Sequence, residues 1–256
     1  MEGTVKMNES INVKFDPAQL TLLTMCSSKN RPSRLKEMLD SFHATRSAGT
    51  EILVYVSEDD PGLNEYKKYL GEYNHIIGPN RSMSEVLNHI CTELYPDVKY
   101  YSELNDDHIC RTKEWDRLMI NAIEKAGGWG ITYGQTRHLP TAIMVSGNII
   151  RTLGYIFYPE LKHLYIDNYI EDLGKGIGKL IYVPEVNIEH MHAHFGMARH
   201  DDTYERVYSN EQNIIGLKAY ENWKRNKKDE DIIKLMNVMN PDIARRTVIL
   251  NKAPQL

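Results

Sequence analysis

Asp106-Asp107-His108 is the run in this chain best suited to holding a divalent cation. Carboxylate oxygens together with an imidazole nitrogen suit manganese and other mid-series metals. In extended backbone the side chains at i and i+2 face the same side, so Asp106 and His108 are expected to grip one cation together. An Asp-rich turn that caps the following segment, Arg111 to Trp115, would account for the same residues, because Asp favours turns and caps. A second group is Glu189-His190-Met191-His192-Ala193-His194. On a strand its three histidines, at i, i+2 and i+4, share a face, and histidine is the commonest metal ligand. A surface run of histidines is the plainer alternative. Both groups in one chain favour a cation held between them, provided the fold brings them together.

Asp167 and Glu171 lie at i and i+4, on one face of an expected helix. A carboxylate near a helix start and close to a cation could act as general base on a hydroxyl. The same charge pattern also fits a solvated helix face. Glu58-Asp59-Asp60 follows the second expected strand, where an acidic side chain could accept hydrogen bonds from a base or ribose. A turn ahead of Pro61-Gly62 explains it equally. Arg31, Arg34 and Arg81 fall in neighbouring strand-end loops, and arginine suits diphosphate by bidentate hydrogen bonding. No Walker A or GxGxxG pattern occurs, which disfavours an ATPase or a dinucleotide enzyme.

The elements that must position these groups alternate. Gln19 to Met25, Glu51 to Val56 and His75 to Ile77 read as short buried strands. Between and after them, Ser33 to His43, Leu63 to Leu70 and Ser84 to Leu94 carry apolar residues at helical spacing, with Ser33 as the expected N-cap of the first. Such alternation implies parallel strands joined by right-handed crossovers, with ligands beyond the carboxyl ends of the strands. A fourth strand, Val98 to Leu104, runs directly into Asp106. Further on, Trp115 to Ile123 reads as a helix, Thr141 to Val145 as a strand, Ser146 to Leu153 and Tyr165 to Leu173 as helices. Leu180 to His194 reads as a late strand pair, and the tail from Glu211 as charged helix broken at Pro241. One domain over residues 1–204 is expected, with a C-terminal helical extension over 205–256 packed on it.

The bulk properties narrow the class. A chain of 256 residues, 41% hydrophobic and 26% charged, can bury a sizeable core. A net charge of -4 argues against gripping nucleic acid through excess positive charge. Three cysteines without a CxxC argue against a thiolate zinc site and fit a reducing cytoplasm. No secretory signal is expected from the polar N-terminus, and no run approaches the roughly 20 apolar residues of a membrane span. Tyrosine outnumbers phenylalanine 16 to 4, which fits a partly wet core or stacking on bases and sugars.

Five segments, in this order and spacing, resemble the GT-A glycosyltransferases, especially the family 2-like enzymes and similar bacteriophage-encoded proteins. They are LLTMCSSKNRPSRL (22–35), YVSEDDP (55–61), YYSELNDDHICRTKEWD (100–116), HLYIDNYIEDLG (163–174) and IYVPEVNIEHMH (181–192). The resemblance implies a Rossmann-like α/β fold, a mostly parallel central sheet flanked by helices, and sugar transfer from a nucleotide-sugar, with UDP-glucose favoured, to an acceptor hydroxyl. It puts Asp106-Asp107-His108 in the place of the DxD motif. The His at its third position is similar to the Asp-x-His of the polypeptide N-acetylgalactosaminyltransferases, where a later histidine completes a site for Mn2+ or Mg2+. His190 is the preferred later ligand and His192 the alternate. Ser27, Arg31 and Arg81, with Asp106 and Asp107, would line the nucleotide cleft, and Asp59 or Asp60 would meet the base. Asp167 would stand near the acceptor as base. The chain has Asp167-Asn168 where the family has Glu-Asp, with Glu171-Asp172 four residues on, which leaves the base and the stereochemical outcome open.

The implied acceptor is a hydroxymethylated pyrimidine in phage DNA, in the host cytoplasm. The basic groups Lys224-Arg225-Asn226-Lys227-Lys228 and Arg245-Arg246 would touch phosphates, or form a solvated helix face. A metal-dependent phosphoester hydrolase or nucleotidyltransferase, and a non-catalytic nucleotide-sugar-binding module, are the competing readings.

Overall fold

A computed structural model describes residues 9–136, 139–191 and 202–241. In chain order the strands and helices are β1 (Ser10–Asn12), β2 (Leu22–Ser28), α1 (Pro32–Thr45), β3 (Thr50–Ser57), α2 (Leu63–Leu70), β4 (His75–Gly78), α3 (Met83–His89), β5 (Tyr100–Glu103), β6 (His108–Cys110), α4 (Trp115–Lys125), β7 (Ile131–Tyr133) and β8 (Met144–Ser146). There follow α5 (Gly147–Leu153), α6 (Ile166–Gly176), β9 (Leu180–Tyr182), β10 (Ile188–His190), α7 (Asp202–Val207), α8 (Asn210–Asn226) and α9 (Lys228–Met239).

Eight strands form one sheet in the order β1-β4-β3-β2-β5-β8-β7-β9. Its centre, β4-β3-β2-β5, is parallel, as helical crossovers require. The strand β8 turns antiparallel against β5, and β1 covers the β4 edge antiparallel. The central strands are apolar on both faces because helices cover both. Leu23, Met25, Leu53 and Tyr55 point into one core layer, and Leu22, Cys26, Ile52 and Val54 into the other. The first layer packs on α3, α5 and α6, and the second on α1, α2 and α4.

Two local expectations are corrected. Helix α1 starts at Pro32, with Arg31 rather than Ser33 in the N-cap position and no side-chain cap. Proline's fixed φ suits the first helical position, and the Arg31 side chain is drawn away to Asp106. The late strands also do not pair with each other. β9 pairs parallel with β7, while β10 pairs antiparallel with β6 in a separate two-stranded sheet. Pro184 separates them, and the chain between is held by hydrogen bonds from Val183 N–H to Tyr133 and from Gln135 N–H to Val186. Gly134 permits this crossing, since a Cβ there would lie 2.4 Å from the Val186 carbonyl oxygen.

The helices α8 and α9 are tied to the first core layer. Trp223 of α8 is fully buried with its ring edge on Tyr169, centroids 4.7 Å apart. Asp231 of α9 accepts hydrogen bonds from Tyr155 Oη (2.6 Å) and Trp223 Nε1 (2.8 Å).

Candidate functional site

The parallel strands β2, β4 and β5 end at one edge of the sheet, and a cleft of about 890 Å³ opens beyond them. Loops after β2 supply Lys29 and Arg31, the loop after β4 supplies Asn80, Arg81 and Ser82, and the end of β5 supplies Glu103, Asn105, Asp106 and Asp107. The opposite wall comes from the start of α6, residues 163–168, and from α7 and α8. Of the residues expected in a site, Ser27, Arg31, Arg81, Asp106, Asp107, Asp167 and His190 all line this cleft.

The two halves of the expected cation site do meet. The short ladder between β6 and β10 sets His190 opposite His108, with ring centroids 4.5 Å apart. The ladder is extended by the Met191 N–H, which donates to the Asp107 carbonyl at 2.8 Å. Ligand atoms of Asp107, His108 and His190 lie within 4.8 Å of one another. Two imidazoles and a carboxylate are a donor set that suits manganese and other mid-series divalent metals of the first transition row. His192 lies outside the described residues.

The carboxylate in this group is Asp107, where Asp106 was expected. Same-side placement of Asp106 and His108 needs extended backbone, but β5 ends at Glu103 and residues 105–108 form a turn closed by the His108 N–H to Asn105 carbonyl bond. Asp106 is thereby rotated towards β2. It accepts from Ser28 Oγ at 2.7 Å and from Arg31 Nη1 at 3.3 Å. Burial pushes the Asp106 carboxyl up to about 6, Arg31 pulling against it and Asp107 adding to it. For Asp107 burial also works upward, but the hydrogen bond and charge of His190, the charge of His108 and the Tyr204 hydroxyl outweigh it and hold it well below the usual carboxylate range. Asp107 Oδ1 lies 3.2 Å from His190 Nε2, and Oδ2 accepts from Tyr204 Oη at 2.7 Å. His108 Nδ1 accepts the Asn105 N–H at 2.9 Å, which orients its ring. A neutral imidazole accepting at one nitrogen carries its proton on the other, so His108 would ligate through Nε2 only after shifting that proton to Nδ1 and giving up the Asn105 bond.

Arg31 is the positive centre of the cleft. Its Nη1 lies 3.3 Å from Asp106 and 3.6 Å from Asp107, and its guanidinium sits 4.3 Å from the centre of the Tyr204 ring. Arg81 donates to Glu9 Oε1 at 2.7 Å on the same side of the cleft. Asp167 stands on the facing wall, in the first turn of α6. Desolvation there pushes its carboxyl up to about 6 against the pull of His190.

Three expected residues are placed elsewhere. Glu171 does not line the cleft; it pairs with Lys175 at 2.9 Å, because the start of α6 points at the cleft and the next turn is already at its side. Asp60 is buried and accepts from the Asn30 and Gly62 amides at 2.8 and 2.7 Å, so it organises two loops. Asp59 is exposed and accepts from Asn80 Nδ2 at 3.2 Å, behind the cleft's rim. Sequence reasoning missed Glu103, Ser28 and Tyr204. The first two are ordinary strand residues by pattern, and Tyr204 had only the abundance of tyrosine to mark it.

Among solved structures, this chain is similar to the Staphylococcus aureus TarS fragment 1-349, at 11% identity and a TM-score of 0.51 over 66% of this chain and 59% of that one. It thus spans less than two thirds of that fragment, and 43% of the longer TarS chain. It is also similar to the mannosyltransferase PcManGT of Pyrobaculum calidifontis in complex with GDP-Man and Mn2+, at 12% identity and 0.51, over 96% and 80% of the two chains. A third is glucosyl-3-phosphoglycerate synthase of Mycobacterium tuberculosis in complex with Mn2+, UDP and phosphoglyceric acid, at 10% and 0.53, over 79% of each. The fold is the GT-A fold. The expectation of a GT-A-like α/β sheet flanked by helices therefore holds. No protein-family profile and no curated sequence matches the chain.

Proposed function

We propose that this protein is a metal-dependent glycosyltransferase that moves a sugar from a nucleotide-sugar, a UDP-sugar such as UDP-glucose, to an acceptor hydroxyl. The observation that carries the reading is the meeting of Asp107 and His190 with the buried His108, at a cleft that also holds Arg31 and Asp167, at the strand ends of a GT-A fold. The similar structures bind related donors by their own descriptions: TarS with UDP or UDP-GlcNAc, and the two others named above with Mn2+.

Manganese or magnesium held by Asp107, His108 and His190 would supply Lewis-acid neutralisation of the leaving diphosphate. Arg31 and Arg81 hold the diphosphate by charge-assisted hydrogen bonds, and Ser27 lines its path. Asp106, held by Ser28 and Arg31, keeps Arg31 aimed. Asp167 takes the proton of the acceptor hydroxyl as that oxygen bonds to the anomeric carbon. The bond from that carbon to the diphosphate oxygen breaks with its electron pair, and the product is inverted.

The acceptor suggested by the resemblance, a hydroxymethylated pyrimidine in DNA, gains nothing from the lysines at the junction of α8 and α9. Lys224, Lys227 and Lys228 are engaged by Glu221, Glu230 and Asp172. Arg245-Arg246 lies outside the described residues. The direct test is turnover of UDP-glucose, UDP-GlcNAc and GDP-mannose with manganese, with and without hydroxymethylated DNA. Donor cleavage that falls about 100-fold or more in Asp107→Ala is expected. Hydrolysis of a simple phosphoester with the same cation, and no donor cleavage, would make the protein a phosphoesterase instead.

A further inference from the structure

Resting on the nucleotide-sugar reading above, we propose that Glu103 is the specificity-determining residue that hydrogen-bonds a hydroxyl group of the donor's sugar.

Glu103 is the last residue of β5, and its side chain is on the cleft wall at only 5% exposure. Its Oε1 is buried and has no hydrogen-bond partner among the described residues. Buried carboxyls elsewhere among the described residues are used. Asp60 takes two loop amides, Asp116 takes the Ser47 amide and hydroxyl, and Asp231 takes Tyr155 and Trp223. A buried polar atom without a partner is costly, and these three show how the fold normally avoids that cost. Glu103 differs from them in facing the cleft.

The charge around Glu103 decides what it meets there. Its neighbours in the field are Asp167 and Asp107, so a diphosphate would be repelled from this corner. The arginines that suit a diphosphate, Arg31 and Arg81, enter from the loops after β2 and β4. Within a nucleotide-sugar, the neutral, hydroxyl-bearing sugar is the part that a carboxyl among carboxylates can bind. Donor sugar and acceptor both carry hydroxyls. The donor is favoured because Glu103 lies on the strand that leads into Asp107 and His108, whereas Asp167 stands on the facing wall.

The test is calorimetric titration of the full chain in manganese, without acceptor. UDP-glucose, UDP-GlcNAc and GDP-mannose are compared with UDP and GDP, for wild type, Glu103→Ala and Glu103→Gln. The expected result is that Glu103→Ala weakens binding of the preferred sugar nucleotide about tenfold, one hydrogen bond's worth, and leaves the bare nucleotide unchanged. Glu103→Gln, which keeps a donor and an acceptor, retains most of the affinity. Deoxy analogues of the same donor give a second readout. The analogue that loses about tenfold against wild type should lose nothing further in Glu103→Ala. Equal weakening of nucleotide and sugar nucleotide would mark a structural role and overturn the proposal. So would no change in either, as for a carboxyl facing the acceptor. If wild type binds none of these nucleotides with manganese, the glycosyltransferase reading itself falls, and the role of Glu103 with it.

Discussion

At the scale of residues, the site is a crowd of carboxyls held in different states by their surroundings. Asp107 is kept ionised by two imidazoles and a tyrosine hydroxyl, while Asp106 and Asp167 are pushed up to about 6 by burial. A general base works in its unprotonated form. Since burial raises Asp167, its base function is present above about pH 6 and is lost as the pH falls through that value. The expected profile is a kcat/KM limb near pH 6, measured at saturating manganese, and loss of that limb together with most activity in Asp167→Asn. A limb near pH 4 would remove Asp167 from the role.

At the scale of elements, everything turns on a ladder three residues long between β6 and β10. Gly134 is the joint that lets the 183–187 segment cross β7 and reach that ladder. A Cβ at Gly134 would push on backbone, which cannot rotate away. Gly134→Ala should therefore cost about 1–3 kcal/mol of stability in denaturant titration and also weaken manganese binding. Unchanged metal affinity would mean that His190 is placed by something else. The alternating strands and helices were legible in the sequence because apolar runs and helical spacing are local signals. The tight grouping of residues near 108 and 190 was legible as chemistry, from the histidines themselves. The pairing of β10 with β6 was not, because two short strands around Pro184 have the local pattern of a pair, and their true partners are remote. The choice of Asp107 over Asp106 was hidden for a related reason. A two-residue turn between strand and ladder inverts which side chain faces His108 and His190, and Asp favours turns as well as metal sites.

At the scale of the molecule, one wall of the cleft belongs to the C-terminal helices, so their docking supports the site. Asp231 is their buried fastening, accepting from Tyr155 and Trp223 at once. Asp231→Ala orphans both donors and should cost about 2–5 kcal/mol, a drop of roughly 5–15 °C in melting temperature for a chain of this size. A drop of under a degree would mean that the helices are held by apolar packing alone. No helix among the described residues is long and apolar enough to cross a membrane. The central claim, that a cation on Asp107, His108 and His190 joins the nucleotide to this cleft, is met most directly by melting the wild type and His190→Ala with UDP and manganese, and again in EDTA. At about a hundredfold excess over Kd the ligands add about 2.7 kcal/mol, so wild type should rise by roughly 5–10 °C, lose that rise in EDTA, and His190→Ala should gain almost none. An equal rise from UDP in EDTA, or a full rise in His190→Ala, would contradict it.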